Sequence, residues 1–216
     1  MSAYRAVIFD MDGVITNTMP YHFDAWQAIF SSLGIKVDCF DVYTREGQDG
    51  FSTIKELYHQ HHRRFDPAQA RKVLAEKEAL FKRIVKIRFV KGARPFLRRL
   101  KSRGFKLALV TGTSRHEMRR ILPEAIRRLF EVTVTGDDVK KGKPHPEPFL
   151  KALQALRLRP AEALVVENAP FGIEAAKRAK LFCVALETSL PRKYLGKADV
   201  VLRSFKELQG AGILPT

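Results

Sequence analysis

Short apolar runs rich in valine, leucine and isoleucine recur along this chain, and from residue 92 onward they alternate with amphipathic helical segments. Runs of this length and composition are typical of strands that are buried on both faces. Strands joined by helices imply right-handed crossovers and a parallel sheet. The strands are predicted at residues 6–9, 106–110, 132–135, 163–166, 182–186 and 199–202. The fold class predicted is therefore α/β, a Rossmann-like parallel sheet with helices on both faces.

The segment between the first two strands, residues 17–88, has a different character, because helical periods dominate it and no strand-like run occurs. Its first predicted helix ends at Gly34 and carries apolar residues at intervals of three and four: Phe23, Trp26, Phe30 and Leu33. Two more helices are predicted before residue 88. We predict an α/β core formed by residues 1–16 and 89–216, with a small helical bundle inserted as a cap at 17–88.

The composition fits a protein with a sizeable core and without a membrane segment. Hydrophobic residues make up 45% of the 216 residues, and no apolar run approaches the roughly 20 residues that a membrane span needs. The N-terminus leads directly into the first strand, which leaves no room for a signal peptide. Neither Cys39 nor Cys183 has a C-x-x-C partner. We expect a cytoplasmic monomer that does not bind a membrane.

The formal net charge of +16 is the unusual bulk property. A strong positive field attracts nucleic acid or steers anionic metabolites toward a cleft. The lysines and arginines are spread over several helical segments, and no nucleic-acid signature with interleaved aromatic residues is present. We therefore expect a solvated surface, with nucleic-acid binding as the less favoured alternative.

Two carboxylates, Asp10 and Asp12, follow the first strand directly and precede Gly13, which can turn the chain. Placing two carboxylates at the end of a buried strand costs free energy through desolvation and mutual repulsion. A divalent cation offsets that cost, and hard oxygen ligands suit Mg²⁺. The alternative is an acidic turn with no chemical role.

Three later strands also end in polar residues. Thr111 and Gly112 follow the second strand, where a hydroxyl and exposed N–H groups form an anion site or, alternatively, a helix cap. Lys143 lies between a glycine and a proline, which restrict its backbone; its ammonium points either inward or to solvent. Glu167 and Asn168 supply oxygen donors suited to a hard metal ion. In open parallel sheets, ligands bind beyond such strand ends.

In this order, the four motifs resemble those of the haloacid dehalogenase superfamily. They are Asp10-x-Asp12-Gly13, Thr111-Gly112, Lys143-Pro144-x-Pro146, and Glu167-Asn168 with Gly172. The inserted helices resemble that superfamily's helical cap. The stretch from Thr16 to Trp26 is most similar to the β-phosphoglucomutase-like group.

The resemblance implies a mechanism of phosphoryl transfer. Asp10 would attack phosphorus and form an aspartyl-phosphate. Asp12 would protonate the leaving oxygen and later take a proton from the incoming nucleophile. Thr111, Gly112 and Lys143 would bind the phosphoryl oxygens, over which the transition-state charge spreads.

The resemblance also implies a Mg²⁺ ion held by Asp10, the backbone carbonyl of Asp12 and Asn168, with Glu167 bound directly or through water. Two residues depart from the superfamily pattern. Asn168 stands where aspartate is usual, so the site lacks one negative charge and its affinity for Mg²⁺ is expected to fall. Asn17 likewise replaces a frequent aspartate.

Three cap residues are substrate candidates: Lys77 and Arg45 through the resemblance to the β-phosphoglucomutase-like group, and His22 because it closely follows the first motif. Lys77 lies on the apolar stripe of its helix and either extends past the core edge or points across an interface to substrate. Arg45 binds a second phosphate or sugar, or belongs to a surface loop. His22 contacts Asp12 or substrate, or faces solvent.

The sequence is best interpreted as a Mg²⁺-dependent phosphatase that hydrolyses a small phosphorylated metabolite, such as a sugar phosphate, through an aspartyl-phosphate. The alternative is a β-phosphoglucomutase-type phosphomutase, in which the phosphoryl group passes to another hydroxyl. A distant alternative is a non-catalytic protein that binds nucleic acid through its positive charge.

Overall fold

The computed structural model describes residues 4–214, and its centre is a single six-stranded sheet. The strands are β1 (Ala6–Phe9), β2 (Lys106–Val110), β3 (Val132–Val134), β4 (Ala163–Glu167), β5 (Phe182–Leu186) and β6 (Val200–Leu202). All neighbouring strands are parallel, in the order β3-β2-β1-β4-β5-β6. The chain order reverses direction beside β1, so the switch point lies between β1 and β4. The predicted α/β fold class is confirmed.

Ten α-helices lie within residues 4–214. They are α1 (Met19–Ser32), α2 (Cys39–Tyr43), α3 (Gly50–Gln60), α4 (Pro67–Ile84), α5 (Ala93–Ser102), α6 (Arg115–Ile121), α7 (Glu124–Arg127), α8 (Glu147–Leu156), α9 (Pro170–Arg178) and α10 (Phe205–Gly210). The sequence predicts one helix over residues 114–129 with a kink at Pro123. The structure has two helices there, α6 and α7, because proline has no N–H to continue the helical hydrogen bonds. None of these helices is long and apolar enough to cross a bilayer.

The two faces of the sheet bury alternate residues in two separate clusters. In β1, Val7 and Phe9 belong to one cluster, whereas Ala6 and Ile8 belong to the other. This alternation follows from the period of two along a strand. Helices α5, α6, α7 and α10 cover the first face, and α8 and α9 cover the second. Both faces are therefore closed to water, and the carboxyl ends of the strands remain for chemistry.

Helices α1–α4 pack around a third cluster that includes Trp26, Phe30 and Leu57. The two chain segments that connect this bundle to the sheet lie side by side, since the Asn17 N–H donates to the Arg88 carbonyl at 2.8 Å. This adjacency supports the proposed division into a core of residues 1–16 and 89–216 and a cap of residues 17–88.

Candidate functional site

Pairing of β1 with β4 places the first and fourth motifs side by side. The Asp10 N–H continues the ladder by donating to the Val166 carbonyl at 3.0 Å. Lys143 reaches between the two strands, and its Nζ lies 2.6 Å from Asp10 Oδ1 and 2.6 Å from Glu167 Oε1. Lys143 is 3% exposed, so its ammonium points inward rather than to solvent.

The ionisation of this group is set by burial and by mutual attraction. Burial raises the pKa of Asp10 to about 8; Lys143 opposes the rise, while Glu167 and Asp12 reinforce it. Burial alone would lower the pKa of Lys143, but Asp10 and Glu167 outweigh it and hold that pKa above its usual value. Lys143 is therefore a permanent cation beside Asp10.

Both carboxylate oxygens of Glu167 are already engaged. Oε1 accepts from Lys143, and Oε2 accepts from the backbone N–H groups of Asn168 and Ala169 at 2.8 and 3.2 Å. A side chain at Gly172 would overlap this carboxylate, which explains the need for glycine there. Glu167 thus anchors Lys143; its contact with a metal ion, direct or through water, stays a prediction.

Two buried oxygens at the same strand ends have no hydrogen-bond partner among the described residues: Asp10 Oδ2 and Asn168 Oδ1. Asn168 is oriented by its Nδ2, which donates to Ser189 Oγ at 3.0 Å. Buried oxygens without a donor are costly unless a ligand satisfies them. Residues 4–214 contain no cluster of three His, Cys, Asp or Glu side chains suited to a metal, yet one carboxylate and one amide oxygen fit a hard cation such as Mg²⁺.

Asp12 lies beside Asp10 but in a different environment. Its Oδ1 accepts from the Thr18 hydroxyl, its Oδ2 accepts from Thr113 Oγ1 at 3.0 Å, and His22 Nε2 lies 3.6 Å from Oδ1. Burial works to raise the pKa of Asp12, but His22 and the two hydroxyls outweigh it and leave that pKa below its usual value. The pKa values of the two neighbouring carboxyl groups therefore shift in opposite directions, upward for Asp10 and downward for Asp12.

Thr18 and Thr113 are site residues to which the sequence analysis assigned no role. Thr18 lies within the stretch from Thr16 to Trp26 that carries the family resemblance, and Thr113 directly follows the motif Thr111-Gly112. Their roles depend on a contact across 101 residues for Thr113 and on a turn after β1 for Thr18. In the sequence, the only indication that Thr18 and Thr113 contact Asp12 is that each carries a hydroxyl near an assigned motif.

The residues that follow β2 line one side of a small cavity. Ser114, not Thr111, caps α6, since the Ser114 hydroxyl accepts from the Glu117 N–H at 3.3 Å. Thr111 is buried and, together with Gly112 and Lys143, lines a cavity of about 100 Å³. A hydroxyl and a cation around a small space suit a tetrahedral anion.

The cap closes over this wall through Gly47 in the loop after α2. A Cβ built on Gly112 would lie 3.0 Å from the Gly47 carbonyl oxygen, and one built on Gly47 would lie 2.6 Å from Cδ of Lys143. The φ of Gly47 is +81°, which favours glycine. The contact between cap loop and core is therefore close enough to require glycine on both sides.

Two of the predicted cap residues, His22 and Lys77, lie together at the cleft. Lys77 Nζ is 3.1 Å from His22 Nδ1 and 5.1 and 5.0 Å from the ring centres of Trp26 and Phe81. Lys77 is 8% exposed and lines a cleft between the cap and residues 112–114 of the core. Burial lowers the pKa values of both, and Lys77 lowers that of His22 further.

Arg45, the third predicted cap residue, lines the same cleft, a cavity of about 110 Å³, but its guanidinium is held within the cap. It donates to Glu56 Oε2 at 3.2 Å, to the Asp41 carbonyl at 2.7 Å and to Gln60 Oε1 at 2.9 Å. The structure therefore does not present Arg45 as a free cation facing Asp10.

Glu46 also lines this cleft and was not among the predicted site residues. Burial and then the charges of Asp12 and Asp10 raise its pKa well above the usual value. It lies next to the predicted Arg45, so the position of the loop was identified but not the residue that faces the cleft.

Comparison with known proteins agrees with this geometry. Residues 4–180 match the family model of the haloacid dehalogenase-like hydrolases. The validoxylamine A 7'-phosphate phosphatase of Streptomyces hygroscopicus subsp. limoneus is 32% identical over 99% of this chain and 100% of its own length. The β-phosphoglucomutase of Bacillus subtilis is 34% identical over 94% of this chain and 91% of its own.

A solved structure extends the likeness to the backbone. CbbY from Rhodobacter sphaeroides in complex with phosphate has a TM-score of 0.78 and 27% identity, over 95% of this chain and 96% of that one. The four motif sites, the parallel sheet and the family match point to the same assignment. The chain belongs to the haloacid dehalogenase-like hydrolase family and is an enzyme of the phosphatase and β-phosphoglucomutase-like group.

Proposed function

We propose that this enzyme is a Mg²⁺-dependent phosphatase that hydrolyses a small phosphorylated sugar through an aspartyl-phosphate on Asp10. The observation that carries the proposal is the state of the Asp10 carboxylate. One oxygen is held by Lys143 at 2.6 Å, and the other is buried without a partner in the described chain. Lys143 would fix Oδ1 for in-line attack on phosphorus, and Oδ2 would be left for the Mg²⁺ ion. The charge of that ion would lower the Asp10 pKa from about 8 and keep the carboxylate ionised.

In the first step, Asp10 forms a bond to phosphorus while the bond to the sugar oxygen breaks, and Asp12 donates its proton to that oxygen. The unliganded pKa of Asp12 is low, but a phosphate dianion beside it raises that pKa on substrate binding. In the second step, Asp12 takes a proton from water, and the water oxygen displaces Asp10 from phosphorus. The products are the free sugar and inorganic phosphate.

The remaining residues hold and neutralise the phosphoryl group. Lys143, which contacts Asp10, and the Thr111 hydroxyl would bind the oxygens over which charge spreads in the transition state. Thr18 and Thr113 fix the Asp12 carboxylate in one orientation. Asp10 Oδ2 and Asn168 Oδ1 would hold the Mg²⁺ ion, which, when bound, supplies positive charge to the phosphoryl oxygens.

Hydrolysis is favoured over mutase chemistry by the state of the cap cations. A mutase must hold a bisphosphate, so it needs a strong second anion site opposite Asp10. Arg45 is occupied by three cap acceptors, which leaves Lys77 as the free cap cation predicted for that role. The likeness to a β-phosphoglucomutase keeps the mutase as the second candidate.

Product analysis with β-glucose 1-phosphate and a panel of sugar phosphates tests the proposal. With Mg²⁺, we expect inorganic phosphate in amounts equal to the free sugar, and no turnover with a chelator. Glucose 6-phosphate without net phosphate release would assign the mutase instead. No phosphate from any ester of the panel, with Mg²⁺ and a folded protein, would contradict the phosphatase.

A further inference from the structure

The positive charge of this protein is concentrated in one stretch of the chain. Residues 82–130 contain sixteen lysines and arginines but only two acidic residues, Glu117 and Glu124. The rest of the chain carries twenty-three basic and twenty-one acidic residues, which nearly balance. Almost all of the net charge of +16 therefore comes from less than a quarter of the sequence.

The fold places the helices of this stretch on one face of the sheet, whereas Lys106 of β2 points to the other face and donates to the Leu156 carbonyl. Residues 82–130 contain α5, α6 and α7, which cover the same face of the sheet and share one hydrophobic cluster. The C-terminal end of α4 adjoins them, because Lys82 lies 3.8 Å from Glu117 of α6. Ile87 and Arg120 line one surface cavity between the same elements. The exposed cations of these adjoining elements therefore lie on the same side of the sheet, and this surface is called the basic face below.

Ten cations of the basic face are exposed and lie farther than 4.0 Å from every carboxylate in residues 4–214. They are Arg83, Lys86, Arg88, Lys91, Arg94, Arg98, Arg99, Arg103, Arg119 and Arg120. Unneutralised cations at this density repel one another and concentrate counterions, so a polyanion that displaces those ions gains free energy.

The opposite face of the sheet provides the contrast. Residues 147–180, which include α8 and α9, contain six basic and four acidic residues. Four of the six cations are paired: Lys151 with Glu147, Arg159 with Glu162, Lys177 with Asp199 and Arg178 with Glu174. An ordinary solvated surface of this protein is therefore balanced and paired, unlike the basic face.

We propose that the basic face binds nucleic acid through its phosphate backbone, without base specificity. Eight of the ten unpaired cations are arginines, whose planar fork matches phosphate oxygens. Helix α5 alone has ten residues, about 15 Å, which spans four to five phosphates of one DNA strand. Ile87 is the one exposed large hydrophobic residue within 82–130; binding to a membrane or to a protein surface typically uses several.

The test measures binding of a labelled duplex of about 20 base pairs by fluorescence anisotropy over a range of KCl concentrations. One variant neutralises four cations of the basic face: Arg94→Gln, Arg98→Gln, Arg119→Gln and Arg120→Gln. A control variant removes the same charge from the opposite face: Lys151→Gln, Arg157→Gln, Arg159→Gln and Lys180→Gln. Neither set belongs to the proposed catalytic machinery, so phosphate-ester turnover reports that both variants fold.

We expect the natural chain to bind in about 100 mM KCl and the basic-face variant to bind about tenfold or more weakly. The variant's plot of log affinity against log salt should flatten by up to about 0.9 for each phosphate that it no longer neutralises. The control variant is expected to bind like the natural chain. Equal losses in both variants would overturn the proposal, since net charge alone would then explain binding. Equal or tighter binding to polyglutamate or to phosphatidylserine vesicles, or no binding to the duplex, would overturn it as well.

Discussion

The core half and the cap half of the active site differ in how their charges are compensated. In the core, Lys143 is locked between Asp10 and Glu167 at 2.6 Å each, and Glu167 is anchored by two backbone N–H groups. In the cap, the Lys77 ammonium lies against His22 and two aromatic rings, and no carboxylate lies within 4.0 Å of it in the described chain.

Without substrate, the charge of Lys143 is compensated in the core half of the site, whereas that of Lys77 is not compensated in the cap half. The core group keeps its geometry because each cation has an anion within hydrogen-bond distance. Burial displaces the pKa values of the cap groups toward their neutral forms, lowering those of Lys77 and His22 and raising that of Glu46. In the core, burial also raises the pKa of Asp10, but Lys143 stays charged. A bound phosphosugar would supply the missing charge. We infer that the core determines the chemistry and the cap the choice of substrate.

The largest expected effect is the loss of the nucleophile in the core half. Asp10→Asn should reduce turnover by about four orders of magnitude or more, because an amide does not attack phosphorus. Steady-state phosphate release measures the effect, with mass spectrometry to exclude deamidation and circular dichroism to verify the fold. Substantial turnover in a folded, non-deamidated variant would remove Asp10 from the role of nucleophile.

The next effect tests whether the anchored geometry of the core matters. Gly172 lies in α9, where Ala normally stabilises a helix by about 0.5–1 kcal/mol. Here the new methyl group would overlap the Glu167 carboxylate and force it away from Lys143. We expect Gly172→Ala to lower the free energy of unfolding by about 3 kcal/mol, the range for a broken buried ion pair, and to reduce turnover about a hundredfold.

Gly196→Ala is the matched control for Gly172→Ala, because no atom lies within 4 Å of the position of its new Cβ. Its unfolding free energy should stay within about 0.5 kcal/mol of the natural chain. Chemical denaturation of the natural chain and the two variants measures their free energies of unfolding. A Gly172→Ala protein as stable and active as the control would mean that Glu167 does not hold Lys143 in position.

The comparison of core and cap also explains which features could be predicted from the sequence. Asp10, Thr111 and Asn168 could be assigned to one edge of the sheet because a strand end fixes where a side chain lies. Lys143 follows β3 only after a long loop, so its inward direction depends on its contacts with Asp10 and Glu167. The fold class follows from the same pattern and is confirmed. Helix α2, with five residues, is too short to show a helical period.

The roles of individual side chains in the cap could not be predicted with equal success. Arg45 and Glu46 are adjacent, and only tertiary contacts decide that the guanidinium of Arg45 binds Glu56 and Gln60 while Glu46 faces the cleft. In the core, the ion pair between Glu167 and Lys143 likewise could not be predicted, because the two residues are far apart in the sequence. The basic face could not be predicted from local motifs, because its cations are spread over several helices. Their excess appears only when charge is summed over a long stretch of sequence.

The cap half is tested by Lys77→Met and its matched partner Arg45→Met. Removal of Lys77 should reduce phosphosugar turnover about ten- to a hundredfold, the value of a charge-assisted hydrogen bond, and leave turnover of a small aryl phosphate nearly unchanged. Arg45→Met removes the same charge from a residue bound within the cap, so both substrates should be affected equally. Equal losses on both substrates for Lys77→Met would mean that Lys77 is structural.

The smallest expected effect concerns the oxygen of Asn168 that has no partner in the described chain. Asn168→Asp should tighten Mg²⁺ binding about tenfold, or about 1.4 kcal/mol, because a carboxylate adds a negative charge at an oxygen that faces the ion. The gain is limited by repulsion from Asp10 and Glu167 and by loss of the Nδ2 donor to Ser189, although the Ser189 hydroxyl can donate in return. Ser189→Ala is the control, since it removes that hydroxyl and adds no charge. Calorimetric titration of the three proteins with Mg²⁺ measures the affinities; unchanged or weaker binding in Asn168→Asp would show that position 168 does not reach the metal.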